Sequence, residues 1–435
     1  MPTPVDGINR ATDFNLDRLV LVGTSGLPVD IREIVYELNL FEDLFGNTMS
    51  GSILVNDTQN LINLLPIIGM EFLSVTITKP TSPWKLDKTF RVYDITNRRR
   101  SSSGSEDYIL HFCSEEAILS ESQKISKSYK GQTVSAIVKD ICTSFLKVDP
   151  KKFPSTAITD TQGNFDVVIP YWTPFYAINW LCRMARTAQA PGCSFVFFED
   201  SESYHFSSIE LLSQQEPLQS INFGPMNFYG EKNDKSDTQL RYESGYNYEL
   251  LRSPDMIRSL GSGAYSGKLT MVDLLSQKIS VSSVNSAALF AQTKHVNPYN
   301  YIQLSPDRTK KPVTEKFDSF FRVSSSYLKP DTWMLQRNAY LSGLHNFQIK
   351  VEVPGNIYLR AGQVVTLNLP SGAVATDQEK PMDDIFSGNY IITAINHKID
   401  RTKYTCTLEL SKDSVKIPMP NALGTNQVIN RVREL

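Results

Sequence analysis

The chain has 435 residues, 41% of them hydrophobic and 21% charged, with a formal net charge of -2. That is the composition of a folded globular protein of about two to four domains, because a single core rarely grows past about 250–300 residues. The near-neutral balance argues against a surface built to coat nucleic acid. The longest apolar stretches, such as 61–70, are broken by Asn63, Pro66 and Gly69. They fall far short of the about 20 residues of a membrane-spanning helix, so no membrane span is expected, and nothing at the N-terminus reads as a signal peptide. Cys113, Cys142, Cys182, Cys193 and Cys406 are odd in number and scattered among apolar neighbours. They read as buried free thiols of a protein made and assembled in a reducing cytoplasm.

Residues 1–13 are polar and without period, and read as an arm. Ile34, Tyr36, Leu38 and Leu40 then alternate with Glu37 and Asn39, the pattern of a half-buried strand. Gly46-Asn47 predicts a turn and 49–55 a second strand, while 72–78 alternates again and stops at Lys79-Pro80. Residues 90–96 and 108–113 predict a hairpin around a polar loop, 98–107. Together these make a small antiparallel barrel over 14–116, closed so that few edges stay exposed.

A different texture follows over 117–213. Thr133 is placed to cap a helix whose apolar face is Val134, Ile137, Val138, Ile141 and Phe145. Thr173-Pro174 predicts a second helix start, with a hydroxyl at the cap and proline in the first turn. After Pro191-Gly192, the runs 195–198 and 204–206 predict a hairpin, which gives a separate α+β domain. Residues 214–250 are aromatic and strand-prone. Residues 251–340 read as a helical and loop subdomain, with a helix over 333–340 capped by Asp331. Strand texture returns over 341–412, and 413–435 read as a polar C-terminal arm.

The two β regions share a layout. In the first, a strand ending at Pro80 is followed by Val92-Tyr93-Asp94-Ile95-Thr96-Asn97, a loop, and Tyr108-Ile109-Leu110-His111-Phe112. In the second, a strand ending at Pro370 is followed by Ile392-Thr393-Ala394-Ile395-Asn396-His397, a loop, and Tyr404-Thr405-Cys406-Thr407-Leu408. A duplicated β domain (214–250 with 341–412 as the second copy) is expected. Two copies per chain in a three-chain ring present six similar units, which fits a sixfold tube on one side and a threefold object on the other.

The segment Gly355-Asn356-Ile357-Tyr358-Leu359-Arg360-Ala361-Gly362, followed by Gly388-Asn389-Tyr390 and by 404–410, resembles the G-N-x-x-L-x-x-G turn of phage baseplate hubs and VgrG-type spikes. Gly51-Ser52-Ile53-Leu54-Val55-Asn56-Asp57 with 65–71 resembles the hub's N-terminal part, and Trp172-Thr173-Pro174-Phe175 with 195–206 its middle domain. The whole is similar to the central baseplate hub of T-even-like contractile phages. The resemblance implies a β-rich α+β fold of two tube-type barrels, a homotrimer, and a central channel through which DNA passes. It also implies a central spike protein, tail-tube or tube-initiator proteins and baseplate wedge proteins as partners. Gly355, Asn356, Gly362, Gly388, Tyr390 and Pro174 are then structural motif residues. Gly355 and Gly362 are expected at turn positions with positive φ.

No enzyme reading survives the spacing. Gly261-Ser262-Gly263-Ala264-Tyr265-Ser266-Gly267-Lys268-Leu269 departs from a phosphate loop at Ser262 and Leu269 and reads as a flexible loop. There is no G-x-S-x-G elbow and no H-E-x-x-H. His111, His205, His295, His345 and His397 are isolated in sequence, and Glu115-Glu116 and Glu199-Asp200 read as solvated turns. No catalytic residue, cofactor or metal is expected. Arg98-Arg99-Arg100 is the one basic run. It is ordinarily a solvated hairpin tip; its functional reading is contact with an acidic partner surface or with passing DNA. Two other readings fit the same composition. One is a hub or spike subunit of a phage-derived secretion or injection machine. The other is a tail-associated cell-wall hydrolase, which needs clustered Cys and His or paired acids that no stretch clearly supplies.

Overall fold

The computed structural model describes residues 14–23, 26–64, 67–79, 85–102, 104–188, 192–224, 242–274, 276–301, 319–323, 329–371 and 382–418. The arm 1–13, Pro80, Pro191 and most of the C-terminal arm lie outside them. The fold is mostly β, in an α+β arrangement.

Alternating side chains build the first β region. It holds β1 (Asn15–Val22), β2 (Pro28–Asp30), β3 (Val35–Asp43), β4 (Ser50–Asp57), β5 (Phe72–Thr78), β6 (Lys85–Ser102) and β7 (Ser105–Ser114), with a short α1 (Leu61–Leu64). The β6–β7 hairpin is longer than the sequence suggests. Arg98 and Arg99 belong to β6, not to a loop, because cross-strand ion pairs with Glu106 and Asp107 extend the ladder almost to the turn.

The α+β unit holds α2 (Glu115–Ser122), β8 (Ile125–Gln132), α3 (Val134–Asp140), β9 (Phe165–Trp172), α4 (Pro174–Met184), β10 (Phe195–Glu199), β11 (Tyr204–Ser208) and α5 (Ile209–Leu212). Thr133 caps α3 by accepting from the Ala136 N–H, and a π-turn over Ile141–Phe145 prolongs the helix. Val134, Ile137, Val138 and Ile141 face a core shared with α4 and the β10–β11 hairpin. Proline opens α4 as the sequence suggests, but the Thr173 hydroxyl makes no cap bond.

Beyond this unit come β12 (Ser220–Asn222), β13 (Asn247–Arg252), α6 (Met256–Gly261), β14 (Ser266–Asp273), β15 (Lys278–Asn285), α7 (Ser286–Phe290) and β16 (Ser319–Val323). Residues 251–340 were expected to be helix and loop. They carry a three-stranded sheet in the order β15-β14-β16, of which the serine-rich β15 (Ser280, Ser282 and Ser283 around Val281) gives little hydrophobic signal. The glycine-rich run 261–269 leads straight into β14. Helix α8 (Met334–Leu344) is preceded by a 3-10 turn at Pro330–Thr332. Trp333, not Asp331, is its N-cap residue.

The chain closes with β17 (Phe347–Pro354), β18 (Val364–Asn368), β19 (Gly388–Asp400) and β20 (Tyr404–Lys412). The arm expected from 413 is anchored at its root. Val415 bridges Tyr299, and Asp413 accepts from His295 at 2.6 Å.

Both β regions fall in one 13-stranded sheet among the described residues, and within it their strand orders match. The first reads β3-β4-β7-β6-β5-β1 and the second β13-β17-β20-β19-β18-β12. Even the irregularities correspond, with one bulge between Val92 and Asp94 in β6 and another between Ile392 and Ala394 in β19. One pairing differs: β1 runs antiparallel to β5, whereas β12 runs parallel to β18.

Two separate closed barrels were expected, and the pairings do not show them. No pairing among the described residues closes either region. Instead β19 pairs β3 edge to edge, from Ala394 with Asp43 to Asp400 with Glu37. The reason lies in strand length, since β18 covers β19 only over residues 388–391 and leaves the rest of that edge for β3. A single apolar core follows, from Leu19 through Leu40, Phe90 and Phe112 to Val351, Ile395 and Leu408.

Leu40 is fully buried on β3 opposite His397. Leu40→Ala is expected to cost about 2–5 kcal/mol. Because the core is shared, the loss should appear in a denaturant titration as one transition lowered for both β regions. A variant in which the second region keeps the native midpoint would contradict the shared core.

Candidate assembly interface

A buried polar arrangement lies where three parts of the chain meet. Strand β3 brings Glu42 to that point with its side chain almost fully buried. Its carboxylate accepts from the Ser201 N–H of the β10–β11 turn and from the Ala361 N–H of the turn after β17, both at 2.9 Å. His397 of β19 lies 3.8 Å away. The His397 ring also meets Tyr404 Oη at 2.7 Å and Cys406 Sγ at 3.3 Å. Burial alone would lower its pKa; Cys406 and then Glu42 outweigh that and raise it to about 10.

A second buried carboxylate repeats the arrangement. Glu199, at the end of the wholly buried strand β10, accepts from Lys88 Nζ of β6 at 2.8 Å, from the Met49 N–H at 3.0 Å and from the Ser114 hydroxyl. Asp200 beside it accepts from His205 at 2.8 Å and from the Ser203 N–H at 2.7 Å. Burial works to raise the Asp200 pKa, but His205 and these donors hold it below the usual carboxylate range. Glu199-Asp200 is therefore not a solvated turn: the end of the β10–β11 hairpin brings Glu199 to donors of the first β region, and Asp200 is held by donors of the hairpin itself. In Glu115-Glu116, the first residue is exposed and the second is buried and paired with Lys152. The partners of Glu199 and Glu116 lie far off in the chain, so nothing in the local pattern marked those two acids.

Three of the motif residues, Gly355, Asn356 and Gly362, lie around the same junction. Gly355 does not take a positive φ; a Cβ there would stand 2.2 Å from the Tyr404 ring, so glycine is required by close approach. Gly362 has φ +83° and faces the Phe198 ring. Asn356 is buried, accepts from the Tyr358 N–H at 3.0 Å and donates to Gln219 at 2.9 Å. Lys79, just past β5, donates to the Gly355 carbonyl and to Tyr242. Gly388, with φ +127°, opens β19, where Asn297 exchanges two 2.8 Å bonds with the Asn389 backbone. Tyr390 is fully buried and donates to the Phe386 carbonyl. Pro174 stands apart, at the start of α4. Arg98 and Arg99 lie near the far end of the β6–β7 hairpin, ion-paired with Glu106 at 2.8 Å and Asp107 at 3.5 Å.

These groups position backbone and join elements. Among the described residues no cluster of three or more His, Cys, Asp and Glu is arranged to hold a metal. All five cysteines are buried free thiols. The same residues show no helix long and apolar enough to cross a membrane.

The fold itself is that of phage tail proteins. The 43 kDa tail protein of prophage MuSo2 from Shewanella oneidensis matches with a TM-score of 0.54 at 10% identity, over 92% of this chain and 99% of that one. The tail protein from Neisseria meningitidis MC58 matches with a TM-score of 0.53 at 11% identity, over 91% and 96%. No family model matches the chain. In sequence it is similar to the probable baseplate hub protein gp334 of Vibrio phage KVP40, 22% identical over 427 residues that cover 93% of this chain and 96% of the relative. The resemblance to phage baseplate hubs thus holds along nearly the whole chain.

Lys412 gives the second region a titratable marker. It is buried at the end of β20 and donates to the Ile385 and Ser387 carbonyls at 2.6 and 3.0 Å. Burial pulls its pKa down to about 7, against the opposing charge of Asp383. An unfolded lysine titrates near about 10.4. From about pH 7 to pH 10 the unfolded chain therefore binds a proton that the folded chain lacks, and stability rises with pH. The native chain's stability relative to Lys412→Met should climb across that window in denaturant titrations. Parallel profiles would show that Lys412 titrates normally.

Proposed function

We propose that this chain is the central hub of a contractile-tail phage baseplate, a structural protein of the virion without catalytic activity. Three copies form a ring in which six similar β units surround a channel for DNA. One face of the ring meets tail-tube or tube-initiator proteins, the other seats the central spike protein, and wedge proteins meet its periphery. The two tube-type units are residues 14–116 and 214–250 with 341–412, separated by the α+β domain 117–213 and interrupted by 251–340. Gly355, Asn356, Gly362, Gly388, Tyr390 and Pro174 hold its backbone turns, and Arg98, Arg99 and Arg100 contact a partner. Assembly takes place in the host cytoplasm.

The observation that carries this reading is the matching strand order of the two β regions, down to the shared bulge. A chain that repeats one unit twice is suited to mediate between threefold and sixfold neighbours. The similarity to a probable baseplate hub protein over nearly the whole length supports it. Light scattering of the full chain should give the mass of a trimer. A monomer or dimer, both alone and with a spike partner, would remove the basis of the ring.

The end of the chain tests the partner contacts. Residues 421–435 follow the anchored segment 413–415 and carry only scattered apolar residues, too few for a core of their own. Their deletion should leave the melting temperature unchanged and weaken co-purification with spike and tube-end proteins. Full co-purification of the truncated chain would assign the end no role in assembly.

A further inference from the structure

The internal seam between the two β regions defines, by equivalence, a second seam that one chain alone leaves open. Strand β3 of the first region pairs with the part of β19 that β18 does not cover. By strand order β13 is the counterpart of β3, and β6 the counterpart of β19. β5 covers β6 only over Lys85–Arg91, and no other described strand pairs that edge from Asp94 to Arg100. β13 pairs β17 on one side and, among the described residues, ends the sheet on the other. The molecule thus presents two edges that match the two already joined inside it.

Burial shows what β13 lacks. Leu38 and Leu40 of β3, flanked by strands on both sides, are fully buried. Their counterparts by register are Tyr248 and Leu250, opposite Val351 and Ile349 as Leu38 and Leu40 are opposite Ile53 and Gly51. Tyr248 and Leu250 are 43% and 46% exposed, and every residue of β13 is solvent-exposed. An uncovered edge strand carrying large apolar side chains is one that proteins normally cover.

We infer that β13 of one copy pairs antiparallel with the open edge of β6 of a second copy, repeating between chains the β3–β19 seam within the chain. The register carries over. Lys398 lies opposite Asn39, and its ammonium reaches Glu37 at 2.9 Å. The bulge at Asn97 puts Arg99, paired with Asp107, at the place that Lys398, paired with Thr405, holds in β19. The residue of β13 equivalent to Asn39 is Glu249. Arg99, exposed on its strand, therefore comes opposite Glu249 of the next copy, and Arg100 opposite Tyr248, a guanidinium beside an aromatic face. Three chains joined in this way alternate three inner seams with three outer ones and close a ring. This inference rests on the trimer proposed above.

Co-expressed full-length Arg99→Cys and Glu249→Cys chains, oxidised after purification, test it. The Cα atoms of directly opposed strand residues lie about 4.5–5.5 Å apart, within reach of a disulfide. A covalent dimer containing one chain of each kind, absent from either variant alone, is the expected result. Glu249→Arg should raise the dissociation constant of the assembly by about threefold to tenfold, and adding Arg99→Glu should restore it. Trimeric protein without the mixed covalent dimer overturns the edge pairing and leaves the trimer standing. A covalent dimer in Glu249→Cys alone also overturns it, because β13 would then meet its own copy. Monomeric native protein overturns the trimer and this seam together.

Discussion

The β3–β19 ladder, with Glu42 at its end, is the contact on which the rest of the architecture depends. The ladder makes one sheet of two β regions that are far apart in the chain. Glu42 then fixes what sits beside that sheet, because its two N–H donors come from the α+β unit and from the turn after β17. A buried carboxylate loses its hydration, and hydrogen bonds with a nearby imidazole offset that loss only in a fitting geometry. Displacing either donor turn leaves the buried carboxylate under-compensated, and breaking comparable buried pairs costs about 3–5 kcal/mol. The three parts are therefore coupled by a polar group that penalises misdocking, while the apolar contacts of Leu44, Phe198, Tyr340 and Ala361 around it supply the attraction.

The two β regions show how little sequence identity a common topology requires. Val92 and Ile392 precede equivalent bulges, and Leu110 and Leu408 occupy equivalent inward positions. Between them the outward positions differ freely; His111 faces solvent-side neighbours where Glu409 stands in the other copy. What both copies preserve is period-two burial, a long hairpin and a bulge that re-aims its distal half. Their one difference in strand direction, β1 against β12, falls at the end of each strand order, where the chain arrives from unrelated segments.

Much of this was legible from residue pattern. The hairpins, the Thr133 cap and the proline start of α4 depend on neighbours within a few positions, and local chemistry announces them. The repeated strand order was legible because 92–97 and 392–397 carry the same alternation before a polar stretch. Features set by distant partners were not. The buried state of Glu199 depends on Lys88 and Met49, and the fusion of the two regions depends on how much of β19 its neighbour β18 leaves uncovered. The sheet β14–β16 was missed for a different reason. Strand β15 is serine-rich and largely exposed, and β14 mixes buried with half-buried positions, so neither carries a clear hydrophobic alternation.

Edge strands bring stability and assembly under one constraint. An exposed edge invites indiscriminate pairing, and proteins usually blunt it with charge, proline or a cover. Here the long hairpin strand β6 carries Arg98, Arg99 and Arg100 on its distal half, and Glu106 and Asp107 across the ladder partly neutralise them. That concentration of like charge discourages two β6 edges from pairing with each other. It leaves β6 open to a strand that brings a carboxylate in register. β13 is unlike β6 in this respect: it sets Glu249 between exposed Tyr248 and Leu250 and carries a single arginine, Arg252, at its end. Two β6 edges repel, while β6 and β13 differ in charge and complement each other in covered area. A heterologous pair of that kind joins copies head to tail, and a head-to-tail contact closes into a ring only when its rotation divides the circle. The inner seam supplies that condition if its geometry repeats outside, because each chain then contributes two steps of the same rotation.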